Sequence, residues 1–136
     1  MSRYLLDVNA LVALGFKEQE FFERVVAWVQ TLQTGEDEFA TCAITELGFL
    51  RVFALPQYGA SIDESKAKLQ RLKSSSGFAF FFVADDQDAS RLPHWVKTPK
   101  QVTDGHLVQL ARANGAVLAT LDRAIPGAFF IPGNPN

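Results

Sequence analysis

The sequence predicts a single three-layer α/β/α domain over residues 1–136, with a mainly parallel central sheet. Three observations lead there. Short apolar runs that read as strands alternate with segments of helical periodicity. The most apolar run, Phe78 to Ala84, has the length of a buried strand and falls far short of a membrane span. A chain of 136 residues with 48% hydrophobic content suits one domain with a substantial core.

The elements follow in order. Arg3 to Leu6 is a short apolar strand, and Asn9 to Leu14 starts a helix. From Glu18 to Thr34, Phe21, Val25, Trp28, Val29 and Leu32 recur at helical spacing until Gly35 ends the pattern. Phe39 to Ala43 is the second strand, and Thr45 to Phe53 resumes helical spacing before Pro56. Ser61-Ile62-Asp63-Glu64 has the form of a capping box, opening a helix that runs to about Lys73. Phe78 to Val83 is the third strand. The polar stretch from Asp85 to Lys100, with Pro93 and Pro99, reads as broken helix and loop. Thr103 is placed to cap a helix from Asp104 to Asn114, with Gly115 as its left-handed stop. Val117 to Thr120 is the fourth strand and Phe129 to Ile131 a candidate fifth.

Four acids stand where an apolar run ends or a helix begins: Asp7, Glu46, Asp104 and Asp122. The carboxyl ends of neighbouring parallel strands open onto one crevice, so carboxylates distant in sequence converge there. Like charges in one place repel unless a hard cation joins them or some stay protonated. The pattern therefore points to magnesium, with manganese as the alternative. Taken singly, each acid has an ordinary explanation as a helix cap, a first-turn carboxylate or a turn former. All four on one sheet edge are harder to explain that way.

Neighbouring polar residues suit a supporting role. Asn9 is placed to donate to the Asp7 carboxylate, and Thr120 lies on the same side of its strand as Asp122; Thr45 and Thr103 precede Glu46 and Asp104. Among the bases, Arg51 and Arg123 lie nearest the acids, whereas the lysines of the Ser61 helix read as a solvated face. The net charge of −2 gives no global sign of nucleic-acid binding, but bound cations reverse the local sign. Other chemistries lack their residues. Two histidines and one cysteine, Cys42, have no zinc spacing, and neither a nucleophile elbow nor a phosphate-binding glycine loop is present. His106 is expected at a surface or edge. No signal-peptide pattern opens the chain, so it is expected to be cytoplasmic, without a membrane partner.

The blocks Leu5-Leu6-Asp7-Val8-Asn9-Ala10-Leu11, Thr45-Glu46-Leu47-Gly48-Phe49-Leu50-Arg51, Val102-Thr103-Asp104-Gly105-His106-Leu107 and Leu118-Ala119-Thr120-Leu121-Asp122-Arg123 resemble those of the PIN-domain ribonucleases, above all the VapC toxins of toxin–antitoxin pairs. The resemblance runs over nearly the whole chain, in order. It implies a Mg2+-dependent endoribonuclease that hydrolyses RNA with a metal-activated water. Its acidic quartet maps onto Asp7, Glu46, Asp104 and Asp122, with Asn9 and Thr120 in support. On that reading all four acids are catalytic and metal-binding, and Arg51 and Arg123 meet the RNA substrate. The implied partners are a cognate antitoxin and a second copy of the chain in a homodimer. The 12 phenylalanines exceed what so small a core readily hides, and the adjacent Phe21 and Phe22 suggest an antitoxin groove on their helix.

The rival readings each miss a residue. A phosphatase of the haloacid dehalogenase type, with Asp7 as nucleophile, wants an acid where Asn9 stands. A signalling receiver wants an early acidic pair and a late lysine, but Asp7 is alone and Arg123 follows Asp122. The remaining alternative is a PIN-like module that binds RNA or protein with little turnover, against which the intact quartet argues.

Overall fold

The structure, a computed structural model, describes residues 2–133. Five strands form one sheet, β1 (Arg3–Leu6), β2 (Glu38–Cys42), β3 (Phe80–Val83), β4 (Val117–Thr120) and β5 (Phe129–Phe130), in the order β3-β2-β1-β4-β5. Every pairing is parallel. Five helices connect or flank them: α1 (Val8–Gly15), α2 (Phe22–Val29), α3 (Ala43–Phe53), α4 (Ile62–Ser75) and α5 (Val102–Ala113).

Successive strand residues face opposite layers, as the twofold period of a strand requires. Leu6, Phe39 and Ala119 pack with Ala10, Val25, Trp28, Phe49, Phe53 and Leu69 of α1 to α4. Leu5, Ala40 and Leu118 turn the other way onto Leu107, Val108, Leu110 and Ala111 of α5. Burial on both faces explains why these strands read as continuous apolar runs. β1 lies in the middle and β4 begins the return leg of the sheet order, so the crevice between their carboxyl ends is the switch point of the topology.

Several boundaries differ from expectation. α2 is shorter than the periodicity suggests, because Gln19 to Phe21 form turns before it and Gln30 to Leu32 leave it through turns. Phe21 is therefore the residue before the helix, and its ring packs on the core while Phe22 continues along the helix. Thr103 is not a cap: the 3-10 turn Pro99–Gln101 runs directly into α5, which starts one residue before it. The Ser61–Glu64 capping box forms as read, with reciprocal bonds of 3.0 and 2.9 Å.

The phenylalanines are also better hidden than their number implies. Edge and tilted contacts link Tyr4, Trp28, Phe39, Phe78, Phe80 and Phe129, and a second group joins Phe16, Phe49, Phe53 and Tyr58. Such pairs add to area burial. Among the phenylalanines, the large exposed ones are Phe81 and Phe82 on the edge strand β3, not Phe21 and Phe22.

Candidate active site

Asp7 stands at the junction of β1 and α1. Its amide donates to Ala119 O at 3.0 Å, extending the ladder by one residue, while its own carbonyl accepts from Ala10 and Leu11. Its backbone is extended, with φ −65° and ψ 161°, so the side chain caps α1 through Oδ1, which accepts from the Val8 amide at 2.8 Å. Oδ2 accepts from the Thr120 hydroxyl at 2.8 Å. The residue is only 8% exposed.

Thr120 is the hub of this corner. Its hydroxyl gives its one hydrogen to Asp7 and accepts from Asn9 Nδ2 at 3.2 Å and from the Asp122 amide at 3.1 Å. Asn9 Oδ1 in turn accepts from the Leu121 amide. The supporting pair therefore works differently from expectation. Asn9 acts on Asp7 through Thr120 rather than directly, and Thr120 orients the Asp7 carboxylate rather than that of Asp122. Asp122 is exposed in the turn after β4, where its Oδ1 accepts from Ala124 N at 2.9 Å.

Asp104 enters from the first turn of α5. Burial first, then the negative charges of Asp7 and Asp122, push its carboxyl above the ordinary range. Asp7 is pushed up as well: burial dominates and Asp122 adds to it, against the lowering by Thr120 and the Val8 amide. Asp7, Asp104 and Asp122 thus share one electrostatic neighbourhood. No ion pair among the described residues involves any of them.

Glu46 stands in the first turn of α3. Its Oε2 accepts from Thr41 Oγ1 at 2.6 Å and from Lys73 Nζ at 2.7 Å. Of the four acids, Glu46 is the one with a basic partner among the described residues. Thr45 and Thr103 do not orient their acidic neighbours. Thr45 bonds Cys42 in the α3 cap, and the Thr103 side chain makes no hydrogen bond among the described residues.

Arg51 lies exposed on α3 beside a crevice of about 350 Å³ that Val8, Ile44, Leu47, Gly48 and Thr103 also line, one residue from Asp7 and one from Asp104. Arg123 instead stacks its guanidinium over Phe130, 5.1 Å from the ring centre. His106 is tied to Asp85, whose carboxyl burial would raise; hydrogen bonds from His106 and the Gln87 amide outweigh that and hold it below the ordinary range.

Two glycines set how closely the acid-bearing elements approach. A Cβ on Gly48 would lie 2.5 Å from Val8 Cγ2, so its absence lets α3 sit against the start of α1. A Cβ on Gly105 would collide with Val96 of the loop that covers α5. Sequence reasoning missed Thr41 and Lys73. Thr41 carried a weak signal as a polar residue inside a buried strand. Lys73 carried none, since only the packing of α4 on α3 brings it to Glu46 across 27 positions.

The donor set suits a divalent cation: Asp7, Asp104 and Asp122 repel one another with no ion pair to a base among the described residues, and a hard ion prefers oxygen. Among the described residues no three acidic, histidine or cysteine side chains stand close enough to chelate an ion directly. That spacing fits an ion that keeps several of its waters.

The PIN domain family model matches residues 4–128. Ribonuclease VapC44 of Mycobacterium tuberculosis is 38% identical over 93% of this chain and 94% of its own length. Among solved structures, VapC20 of Mycobacterium tuberculosis, described as a sarcin-ricin loop cleaving toxin, superposes with a TM-score of 0.61 at 12% identity, covering 97% of this chain and 99% of that one. VapBC2 from Rickettsia felis, bound to a DNA fragment from their promoter, gives 0.56 at 14% identity over 94% and 96%. The same blocks that close β1 and β4 and open α3 and α5 thus sit in a matching fold, and the chain belongs to the PIN-domain family, among the VapC proteins.

Proposed function

We propose that this chain is a Mg2+-dependent endoribonuclease, the toxin of a toxin–antitoxin pair, with Mn2+ as an alternative ion. The observation that carries the reading is the convergence of Asp7, Asp104 and Asp122, without an ion pair to a base among the described residues, in a chain of this family. Relatives named ribonucleases support RNA as substrate, and structural neighbours solved with partner proteins support an antitoxin.

When bound, the ion would supply an activated water and stabilise the departing oxygen of the phosphodiester. The chain's own residues do the rest. Asp7 and Asp104 would hold the ion from opposite layers of the fold, with Asp122 from the β4 turn and Glu46 from the first turn of α3 completing the set or orienting the attacking water. Thr120 and Asn9 fix the Asp7 carboxylate, so that it presents its remaining lone pairs in one direction. Arg51, exposed at the crevice wall, would take a phosphate oxygen pair by a forked hydrogen bond. Arg123 would contribute positive potential from its fixed place over Phe130.

Asp104→Asn tests the reading. It removes one charge with little change of shape, so the protein should fold normally and lose Mg2+-dependent RNA cleavage by at least ~100-fold. Undiminished cleavage by the folded variant would sink the assignment. Co-expression with a neighbouring antitoxin gene should yield a complex. Sedimentation of the isolated chain tests the homodimer.

A further inference from the structure

Two arginines from distant parts of the chain meet on one aromatic ring at the end of β5. The guanidinium of Arg24, on α2, lies 4.8 Å from the centre of the Phe130 ring, and that of Arg123, in the turn after β4, lies 5.1 Å from the same centre. Arg24 is fixed further by its Nε and Nη2, which both donate to Ile131 O, at 3.1 and 2.5 Å. Arg123 is exposed. Neither cation has an ion pair to a carboxylate among the described residues. Stacking on a ring occupies the face of a guanidinium and leaves its in-plane N–H fork open to an acceptor. Two cations brought to one ring in this way suit an anion with several oxygens.

The ring stands beside the acids. Phe130 pairs with Thr120 in the β4–β5 ladder, and the Ile131 amide donates to Thr120 O at 2.9 Å. Thr120 holds Asp7, and Arg123 directly follows Asp122. Arg51 belongs to the other side: α3 leaves β2, and in the sheet β2 and β5 lie on opposite flanks of the β1–β4 pair. We propose that Arg24 and Arg123, held by Phe130, bind a backbone phosphate of the RNA that flanks the scissile one, on the β5 side of the site. A single strand laid across the carboxyl end of the sheet would meet Arg51 on one side of the aspartates and this pair on the other. A phosphate contact carries no base information, so it sets affinity and register rather than sequence preference. The inference rests on the ribonuclease reading above. It adds Arg24 and Phe130 to that reading and gives Arg123 a specific anion in place of a diffuse potential.

Fluorescence anisotropy of a labelled single-stranded RNA, titrated with the full chain in EDTA so that cleavage is silent, reads this contact. Arg24→Gln and Arg123→Gln should each weaken binding roughly three- to tenfold at moderate salt, equally for RNAs of different sequence. The double variant loses the phosphate and should lower the slope of log affinity against log salt by about 0.7. Lys17→Gln removes an equal charge just past the far end of α1 from Asp7 and should bind as wild type does. Equal weakening by Lys17→Gln would mean diffuse attraction and overturn the proposal. Arginines that only cover the end of the sheet would lower the melting temperature when replaced and leave RNA affinity unchanged, which overturns it too. Arg24→Gln also loses its bonds to Ile131; should it fail to fold, Arg123→Gln decides alone. An Arg123→Gln protein that binds RNA as wild type does, yet no longer co-purifies with the co-expressed antitoxin, assigns the stack to a protein partner and overturns the proposal. Wild type that fails to cleave RNA with Mg2+ sinks the ribonuclease reading itself. Wild type that cleaves, with both variants binding RNA as it does, sinks only the role of the stack.

Discussion

Both oxygens of Asp7 are occupied within the protein, Oδ1 by the Val8 amide and Oδ2 by the Thr120 hydroxyl. A carboxylate so held loses little freedom on meeting a cation, and Thr120 is the group whose removal tests this. Thr120→Val keeps the shape, but deprives Asp7 of a donor and leaves the Asn9 amide and the Asp122 N–H without their acceptor. Loss of buried partners costs about 1–3 kcal/mol, seen as a lower melting temperature. Misorientation of the carboxylate should lower RNA cleavage by about 10- to 100-fold at saturating Mg2+. Unchanged turnover in a destabilised Thr120→Val protein would reduce the hydroxyl to a structural role.

At the scale of elements, the site depends on how close α3 comes to α1. Gly48 is the point of approach, since a methyl there would press on Val8, the residue after Asp7. Two effects compete in Gly48→Ala. Helix propensity favours alanine by about 1 kcal/mol. Overpacking costs about 1–3 kcal/mol, and Val8 is backed by the core, with little room to retreat. The clash should win, giving a net loss of stability in denaturant unfolding, and a drop in RNA cleavage as Val8 carries Asp7 out of line. A stabilised, fully active Gly48→Ala would show that the two helices separate freely. The α5 side repeats the arrangement through Gly105 and Val96, so the stretch from Asp85 to Lys100 that reads as broken helix and loop in sequence is the wall against which Asp104 is set.

For the molecule as a whole, the paired upward shifts of Asp7 and Asp104 make stability depend on pH and metal together. Each carboxyl binds its proton more tightly folded than unfolded. As pH rises from the ordinary carboxylate value through the raised folded value, the native state holds more protons than the unfolded chain, and these two groups subtract stability. The penalty is complete above the folded value and absent below the ordinary one. Other carboxylates, Asp85 among them, are shifted down and work in the opposite sense, so the informative quantity is a difference. Metal-free Asp104→Asn should gain melting temperature over wild type as pH rises through that window, and millimolar Mg2+ should narrow the gap by stabilising wild type alone. A gap that stays constant across pH would mean that the fold does not raise the Asp104 carboxyl, whether by burial or by its acidic neighbours. Function at this scale is read in the cell: low-level expression of wild type should arrest bacterial growth, because turnover multiplies each molecule's effect. Folded Asp7→Asn should not. Arrest persisting undiminished in that variant would point to sequestration of a partner by exposed side chains such as Leu47 (56% exposed) and Phe82 (57%).

The sequence by itself determined the layer architecture, nearly every strand and helix, and the identity of the four acids. These depend on local patterns: apolar runs, helical spacing, a capping box, and acids placed where elements meet. It also placed Asn9 and Thr120 at the site. Their actual partners depended on packing, because hydrogen-bond direction is decided by which groups lie within 3 Å of one another, and Asn9 meets Thr120 across 111 positions. The burial of the phenylalanines was likewise decided by the fold, since aromatic rings from six different elements and loops stack where no periodicity announces it. The ion pair of Glu46 with Lys73 is the clearest case. Glu46 matches the pattern in sequence as well as the others do, and nothing in that pattern shows that α4 brings Lys73 to 2.7 Å from it. An ion pair between residues on different helices is a property of tertiary distance, and distance is what a one-dimensional pattern does not contain.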